Sequence, residues 1–296
     1  EPYRRQRQMC IRDRYIICGW IALTAAAVMP GEVRWHDEAA DTARITAILV
    51  KVSDINARSP QERVGTIARE FLGTPYVAGT LEGTPEALTV NVDQMDCTTF
   101  VETVLAMAVT VGERRSSWRD FLYNLENMRY RQGTLDGYAS RLHYISDWIV
   151  DNSHRGNIDD VTDRIAESSY QVKTLDYMSS HRDDYPALAD DSEFERIKSV
   201  EVGYRSHRFP YLKPSKLLSK DVVAKLRDGD VVAFTTKVPG LDVSHVGFIV
   251  MKDGVPYLLH ASSREGKVVI DPLSLADYLH RNRNITGARI LRLKNR

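Results

Sequence analysis

The chain of 296 residues is poor in cysteine, with only Cys10, Cys18 and Cys97. That is too few for the disulfide frameworks that hold small secreted domains together. It also lacks a surplus of either charge, since 40 Lys and Arg face 40 Asp and Glu. A polyanion binder draws affinity from excess cations over phosphates, so nucleic acid is excluded as a main partner. Long apolar runs are missing too. Only Tyr15 to Pro30 approaches one, and it falls short of the ~20 residues of a spanning helix. No internal repeat, low-complexity tract, His-Glu-X-X-His or Cys-X-X-Cys occurs, so the common zinc sites find no support and no metal or cofactor is expected. Hydrophobic residues at 43% and aromatics at 8% are still enough to build a core.

Arg4, Arg5, Arg7, Arg12 and Arg14 precede Tyr15 to Pro30, which contains the small-residue run Ala25-Ala26-Ala27. Basic, then apolar, then small residues read as a secretory leader over residues 1–31, with an uncleaved anchor helix as the alternative. The chain begins with Glu1 rather than Met, so its first residue is not read as a true start. The expectation is an exported protein, periplasmic or secreted, with no stable membrane span after processing. Its mature part, residues 32–296, would carry a net charge of −3 and one cysteine, Cys97. A lone cysteine is ordinarily a small buried hydrophobe. The neighbours of this one point elsewhere.

Helical spacing runs through Asp37–Ile55, and Ser59-Pro60 opens a second helix closed by Gly73. Thr74–Val92 reads as loop or short strand. A third helix is predicted from Asp96, its N-cap, to about Val111, with Gly112 as its C-cap. A more polar stretch follows, with helical patches at Trp118–Tyr130 and Tyr144–Ile149, read as part of a helix-rich insertion at about 112–212. The period then turns strand-like at Asp230–Thr236, His245–Lys252, Val255–Ala261, Lys267–Ile270 and Ala288–Leu293. Helices followed by strands predict an α+β fold with an antiparallel sheet in one domain.

Three segments carry candidate chemistry: Asp96-Cys97-Thr98-Thr99 at a helix start, Ser244-His245-Val246-Gly247 opening a strand, and Leu259-His260-Ala261-Ser262 closing the next. A cysteine in a first helical turn meets unpaired backbone N–H groups and the positive end of the macrodipole. Both favour the thiolate and predict a pKa well below ~8.5. The same N–H groups can stabilise an oxyanion. The histidines are tested by register. Asp253-Gly254 is a strong two-residue turn, and a hairpin built on it sets His260 opposite Gly247 and His245 opposite Ser262. Both imidazoles then share a face as diagonal neighbours, with Gly247 leaving room beside the His260 ring. A one-residue slip would separate them, and Pro256 makes irregularity possible. Cys97 as nucleophile, His245 as base and His260 as orienting group is the arrangement acyl transfer needs.

These residues, with Gly73-Thr74-Pro75-Tyr76, Met95 to Glu102, Ser140 to Trp148, Gly229 to Phe234 and His245 to Ile249, resemble the NlpC-type cell-wall cysteine peptidases. Within that papain-like group the chain is similar to the N-acetylmuramoyl-L-alanine amidase-like branch. The resemblance spans about Phe71 to Ser262. It implies a papain-like NlpC-type fold with the catalytic cysteine at a helix N-terminus, packed on an antiparallel sheet. It also implies a triad of Cys97, His245 and His260, the Tyr76 hydroxyl beside the oxyanion hole, and a peptidoglycan or muropeptide substrate cut at an amide bond.

Two departures bear on specificity. Thr98 follows the cysteine where the NlpC pattern has Ser, which weakens the stem-peptide endopeptidase alternative. The interval from Cys97 to His245 is also long, and the extra segment of the amidase-like branch resembles Tyr138–Asp151. There Arg141, His143, Asp147 and Trp148 can serve substrate, Arg141 by clamping a carboxylate and Trp148 by stacking. The same residues read equally as a helix with a core Trp and a salt bridge. Asp96 and Glu102 flank the cysteine as substrate or structural carboxylates. A non-catalytic wall-binding module is the remaining alternative, and it has no need of a cysteine at a helix start.

Overall fold

The computed structural model describes residues 33–294, so the leader expected at residues 1–31 lies outside the described residues. The strand Val33–Trp35 (β1) leads into the helix Glu38–Lys51 (α1), capped by the Asp37 carboxylate. Ser59 and Glu62 form a reciprocal capping box at the start of Pro60–Arg69 (α2). Leu88–Val90 (β2) pairs in parallel with β1. The helices Cys97–Gly112 (α3), Trp118–Arg129 (α4) and Ile145–His154 (α5) follow. Ile158–Asp160 (β3), Ser169–Val172 (β4), a helix at Asp191–Gly203 and Arg208–Tyr211 (β5) complete the middle of the chain. The last third is mainly Val231–Thr236 (β6), Val243–Lys252 (β7), Val255–Ser262 (β8), Lys267–Ser274 (β9), a helix at Leu275–Arg281, and Ile285–Leu293 (β10).

Six strands form an antiparallel sheet in the order β3-β10-β6-β7-β8-β9. This is the mixed α+β architecture with an antiparallel sheet that the pattern predicts. One sheet face, through Ala233, Val246, Phe248 and Leu259, packs on Phe100, Val104 and Leu105 of α3. The opposite face, through Val232, Phe234, Ile249 and Leu258, is covered by Leu212, Leu217 and Leu275. Every residue of β6 is buried, so Val231–Phe234 read as an unbroken apolar run rather than an alternation, followed by the buried Thr235 and Thr236.

The turn between β7 and β8 fixes where the site will form. Asp253 and Gly254 both take positive φ, 49° and 78°, as a type I′ turn demands. The observed register runs from Lys252 opposite Val255 to Phe248 opposite Leu259, as expected over those pairs, and the ladder ends there, before the expected pairs Gly247–His260 and His245–Ser262. Pro256 causes no slip. Irregularities fall instead between β6 and β7 at Phe234/Thr235 and between β8 and β9 at Tyr257/Leu259.

The middle of the chain, expected as a helix-rich insertion at about 112–212, is rich in helix. It contains three short strands as well, unexpected because strands of three or four residues leave too little alternation to read. It is also woven into the main body: β3 pairs with β10, and Phe121, Leu125, Trp148 and Ile158 belong to the principal core. A separate small core gathers Tyr138, Tyr144, Met178, Ile197 and Phe209. Gly112 is the last residue of α3 rather than the residue after it. A Cβ there would lie 2.6 Å from the Arg63 guanidinium, so glycine makes room for that side chain. Among the described residues no helix is long and apolar enough to cross a membrane.

Candidate active site

The first turn of α3 is locked by its own sequence. The Asp96 carboxylate accepts the Thr99 N–H at 2.8 Å, and Thr99 Oγ1 accepts the Asp96 N–H at 2.9 Å. This reciprocal cap puts Cys97 at the first helical position, half-buried. The preceding Met95 is clamped by the Pro75–Val77 backbone: its N–H donates to the Pro75 carbonyl, and its carbonyl accepts the Val77 N–H. The Tyr76 N–H in turn donates to the Gly266 carbonyl, and Gly73 to Val268 on β9. One short segment therefore ties Tyr76, the cysteine and the sheet together. The Tyr76 phenol is pushed up by burial and by negative charge at Cys97 and Asp96, as expected of neighbours.

From the sheet side, β7 delivers His245 next to Val246, whose backbone N–H lies near enough to the cysteine sulfur to favour its thiolate. His245 Nε2 lies 2.6 Å from His260 Nδ1, and the rings cross at 87°. Gly247 is required for this approach. A Cβ there would sit 2.9 Å from the Leu259 carbonyl oxygen and 3.0 Å from His260 Cβ. Burial holds both imidazoles neutral, taking His245 down to about 4 and His260, next to His245 and Arg264, down to about 3.

The hydrogen-bonded pair does not stop at His260. Asp271 Oδ2 lies 3.3 Å from His260 Nε2, near enough for charge but off the line of a good hydrogen bond, and both side chains are buried. Asp271 Oδ1 accepts the Leu273 N–H. Tyr278 packs edge-on to His260 at 5.7 Å, and its hydroxyl is pushed up to about 12 by burial, Asp271 and Cys97. Sequence reading missed both residues. The signal for Asp271 was its place two residues beyond Val269, which pairs with His260, because alternate residues of a strand share a face. The strand expected over Lys267–Ile270 stops one residue short of it, whereas the observed strand runs to Ser274.

The thiol departs from expectation. Burial and the Asp96 carboxylate raise it to about 11, outweighing the Val246 N–H, the Thr98 hydroxyl and the helix backbone. The N-cap that builds the turn also neutralises the field predicted to activate the sulfur.

The remaining expected substrate residues fall inside the protein. Arg141 is 5% exposed; it donates to Glu82 at 2.8 Å and lies 3.4 Å from Glu86, tying down the loop before β2. Its guanidinium is spent on these internal carboxylates, which corrects the carboxylate clamp read from sequence. Trp148 is 2% exposed and packs behind Thr98 and Val246, so it is a core residue and not a stacking platform. Asp147 accepts both Arg131 nitrogens and the Tyr204 hydroxyl. His143 bonds the Tyr138 carbonyl and is held low by burial and Arg141. Glu102 is buried against Arg129 at 2.6 Å, and Asp96 is the helix cap.

The structure thus joins His245 to His260, places Cys97 near Tyr76 and against Val246, the residue after His245, and leaves Glu102, Arg141, His143, Asp147 and Trp148 as supports. Among the described residues no group of three or more His, Cys, Asp or Glu side chains is placed to hold a metal ion. A thiol against the Val246 backbone, one residue along the strand from the neutral imidazole of His245, with a phenol near by, has the groups that nucleophilic attack on a carbonyl uses.

A family model described as N-acetylmuramoyl-L-alanine amidase-like (AmiA-like) matches residues 66–286. A crystal structure of an N-acetylmuramoyl-L-alanine amidase from Bacteroides uniformis ATCC 8492 is 39% identical with a TM-score of 0.75, covering 79% of this chain and 99% of its own. A Bacteroides fragilis structure that carries the provisional name of a xylanase is 42% identical with a TM-score of 0.72, covering 76% and 98%. A protein from Legionella pneumophila str. Philadelphia 1, of the DUF1460 family model, is 26% identical with a TM-score of 0.66, covering 88% and 98%. No curated relative matches the chain.

Proposed function

The chain belongs to the AmiA-like, N-acetylmuramoyl-L-alanine amidase-like family, and from that footing we propose that it hydrolyses the amide joining the N-acetylmuramoyl group to L-alanine in peptidoglycan or its fragments, with Cys97 as nucleophile. The observation that carries the reading is the 2.6 Å His245–His260 pair, set by the β7–β8 register beside a cysteine at the start of α3. A papain-like, NlpC-type arrangement of helix against antiparallel sheet accounts for this placement. The leader read at residues 1–31 fits a substrate that lies outside the cell membrane.

The mechanism follows from the tautomers. Asp271 favours a proton on His260 Nε2, which leaves Nδ1 as acceptor for the His245 Nε2–H. His245 Nδ1 is then an unprotonated base. As the sulfur attacks the carbonyl carbon, Nδ1 takes the thiol proton, and backbone N–H groups at the α3 start and the Tyr76 hydroxyl meet the oxyanion. The C–N bond breaks as Nδ1 returns the proton to the L-alanine nitrogen, leaving a thioester on Cys97. Water, deprotonated by the same nitrogen, cleaves the thioester, releases the carboxylate of the sugar and restores the thiol. Glycosidase chemistry, suggested by the name of one similar structure, needs two carboxylates facing across a sugar. Here Asp96 is committed to capping α3 and Asp271 is buried on His260.

Mass analysis of defined muropeptides after incubation tests the proposal. Expected products are the lactyl sugar with a free carboxylate and a peptide beginning with L-alanine, unaffected by EDTA. Cys97→Ala should lower kcat by about 10³-fold or more. Cleavage within the stem peptide, or an active Cys97→Ala enzyme, would overturn it.

A further inference from the structure

An open groove of roughly 550 Å³ begins at His245 and His260 and runs away from them across the strand ends. Its walls carry Arg264 after β8, Arg281 at the end of the last helix, and Arg283 between that helix and β10. Asp271 is the single carboxylate in its lining, and it is buried against His260. On a chain with equal numbers of cations and anions this is a local concentration of positive charge.

The pairing of these cations sets them apart from arginines elsewhere. A second groove holds Arg131 and Arg196, but these are bound to Asp147, Asp136 and Glu193. Arg281 and Arg283 have no carboxylate partner among the described residues, while Arg264 touches only its exposed neighbour Glu265 at 3.2 Å. The charge of Arg264 reaches His260 and Tyr278, so it lies at the inner end of the groove.

Direction comes from the chemistry, and this step rests on the function proposed above. The imidazole that protonates the leaving amine must face the leaving group. The groove lined by His245, which does not itself include Cys97, is then taken as the path of the departing peptide beyond the imidazole, with the sugar on the far side of the sulfur. We propose that Arg281 and Arg283, with Arg264, form a subsite for the free carboxylates of the stem peptide. Guanidinium forks bind carboxylates bidentately, and unpaired arginines are already free to do so. A stem peptide extended from L-alanine carries such carboxylates along its length and on its side chains.

Calorimetric titration of the wild-type protein with the free tripeptide L-Ala-γ-D-Glu-diaminopimelate, and with the same peptide amidated at every carboxylate, reads the subsite without catalysis. The acidic peptide should bind at least about tenfold more tightly than the amidated one, and more weakly as salt rises. Arg281→Ala/Arg283→Ala should abolish that preference, and Arg281→Lys/Arg283→Lys should restore part of it. Equal affinity for the two peptides, no binding of either, or a double alanine variant that binds like wild type would overturn the subsite. Hydrolysis assays separate this from the activity. Arginine-dependent binding without amide cleavage would remove the proposed function and leave the subsite. Cleavage with unchanged KM in the double alanine variant would do the reverse.

Discussion

Cys97 stands between opposing influences. The macrodipole and free N–H groups of a helix start are worth about 0.3–1 kcal/mol to a charge there, less than the ~1.4 kcal/mol that changes acidity tenfold. Burial and the Asp96 cap act the other way and prevail, leaving the thiol at about 11 and its histidine at about 4. The resting pair is therefore neutral from about pH 4 to about pH 11, and the proton moves during attack. Iodoacetamide labelling of Cys97 should accelerate about tenfold per pH unit between pH 7 and 10. A plateau reached below pH 7 would reveal a preformed thiolate instead. A second residue-scale expectation concerns Asp271. Asn at this position can donate to His260 Nε2, reversing the tautomers and placing a proton on His245 Nδ1. Asp271→Asn should lower kcat about 10- to 100-fold with KM little changed and the alkaline limb of the pH–rate profile displaced. Unchanged kcat would remove Asp271 from the proton chain.

Among the elements, the hairpin β7–β8 was legible because one local feature, Asp253-Gly254, sets the five pairs from Lys252–Val255 to Phe248–Leu259. Once that register stands, the His245–His260 meeting follows, and Asp96 likewise announces the start of α3. Other parts of the site depend on pairings that no local signal encodes. Asp271 arrives through the β8–β9 partnership, beside an irregularity and just before Pro272. Arg141 shows the complementary limit: its position could be read, but the carboxylates of Glu82 and Glu86 reach it from a loop more than fifty residues away. Periodicity says which way a side chain faces within its own element and not what lies across from it. The hairpin also yields a prediction. Gly247→Ala pushes a methyl to within 3.0 Å of the Leu259 carbonyl and His260 Cβ, and strand backbone cannot yield cheaply. Overpacking of this kind costs about 1–3 kcal/mol, which urea unfolding will measure. Activity should fall further than stability, by about 10²-fold, because displacement acts on a 2.6 Å contact. A variant that keeps full activity would show that the close approach is dispensable.

In the whole molecule, the middle segment and the sheet are fastened around the site. Asp242, just before β7, accepts the Ser146 N–H at the start of α5, while Arg289 on β10 binds Asp160 at the end of β3. Folding thereby encloses titratable groups in their neutral forms, and stability must depend on pH. An unfolded chain takes up protons on imidazoles of ordinary value 6.5, which the folded His245 and His260 refuse until about 4 and about 3. Their contribution is complete above pH 6.5 and is lost as pH falls towards 4. The thiol works at the other end. Unfolded, it ionises above its ordinary 9.0, whereas the folded Cys97 keeps its proton to about 11, so stability declines as pH rises between those values. Burial raises Glu86, Glu102 and Asp242, which opposes the histidines in acid, so variants are needed to separate the effects. Urea unfolding of His245→Gln/His260→Gln should lose less stability than wild type between pH 6.5 and 4. Cys97→Ala should lose less between pH 9 and 11. Parallel curves for variant and wild type in either window would mean that the groups concerned titrate alike in the folded and unfolded chain, and that the neutral, enclosed site described here opens to solvent.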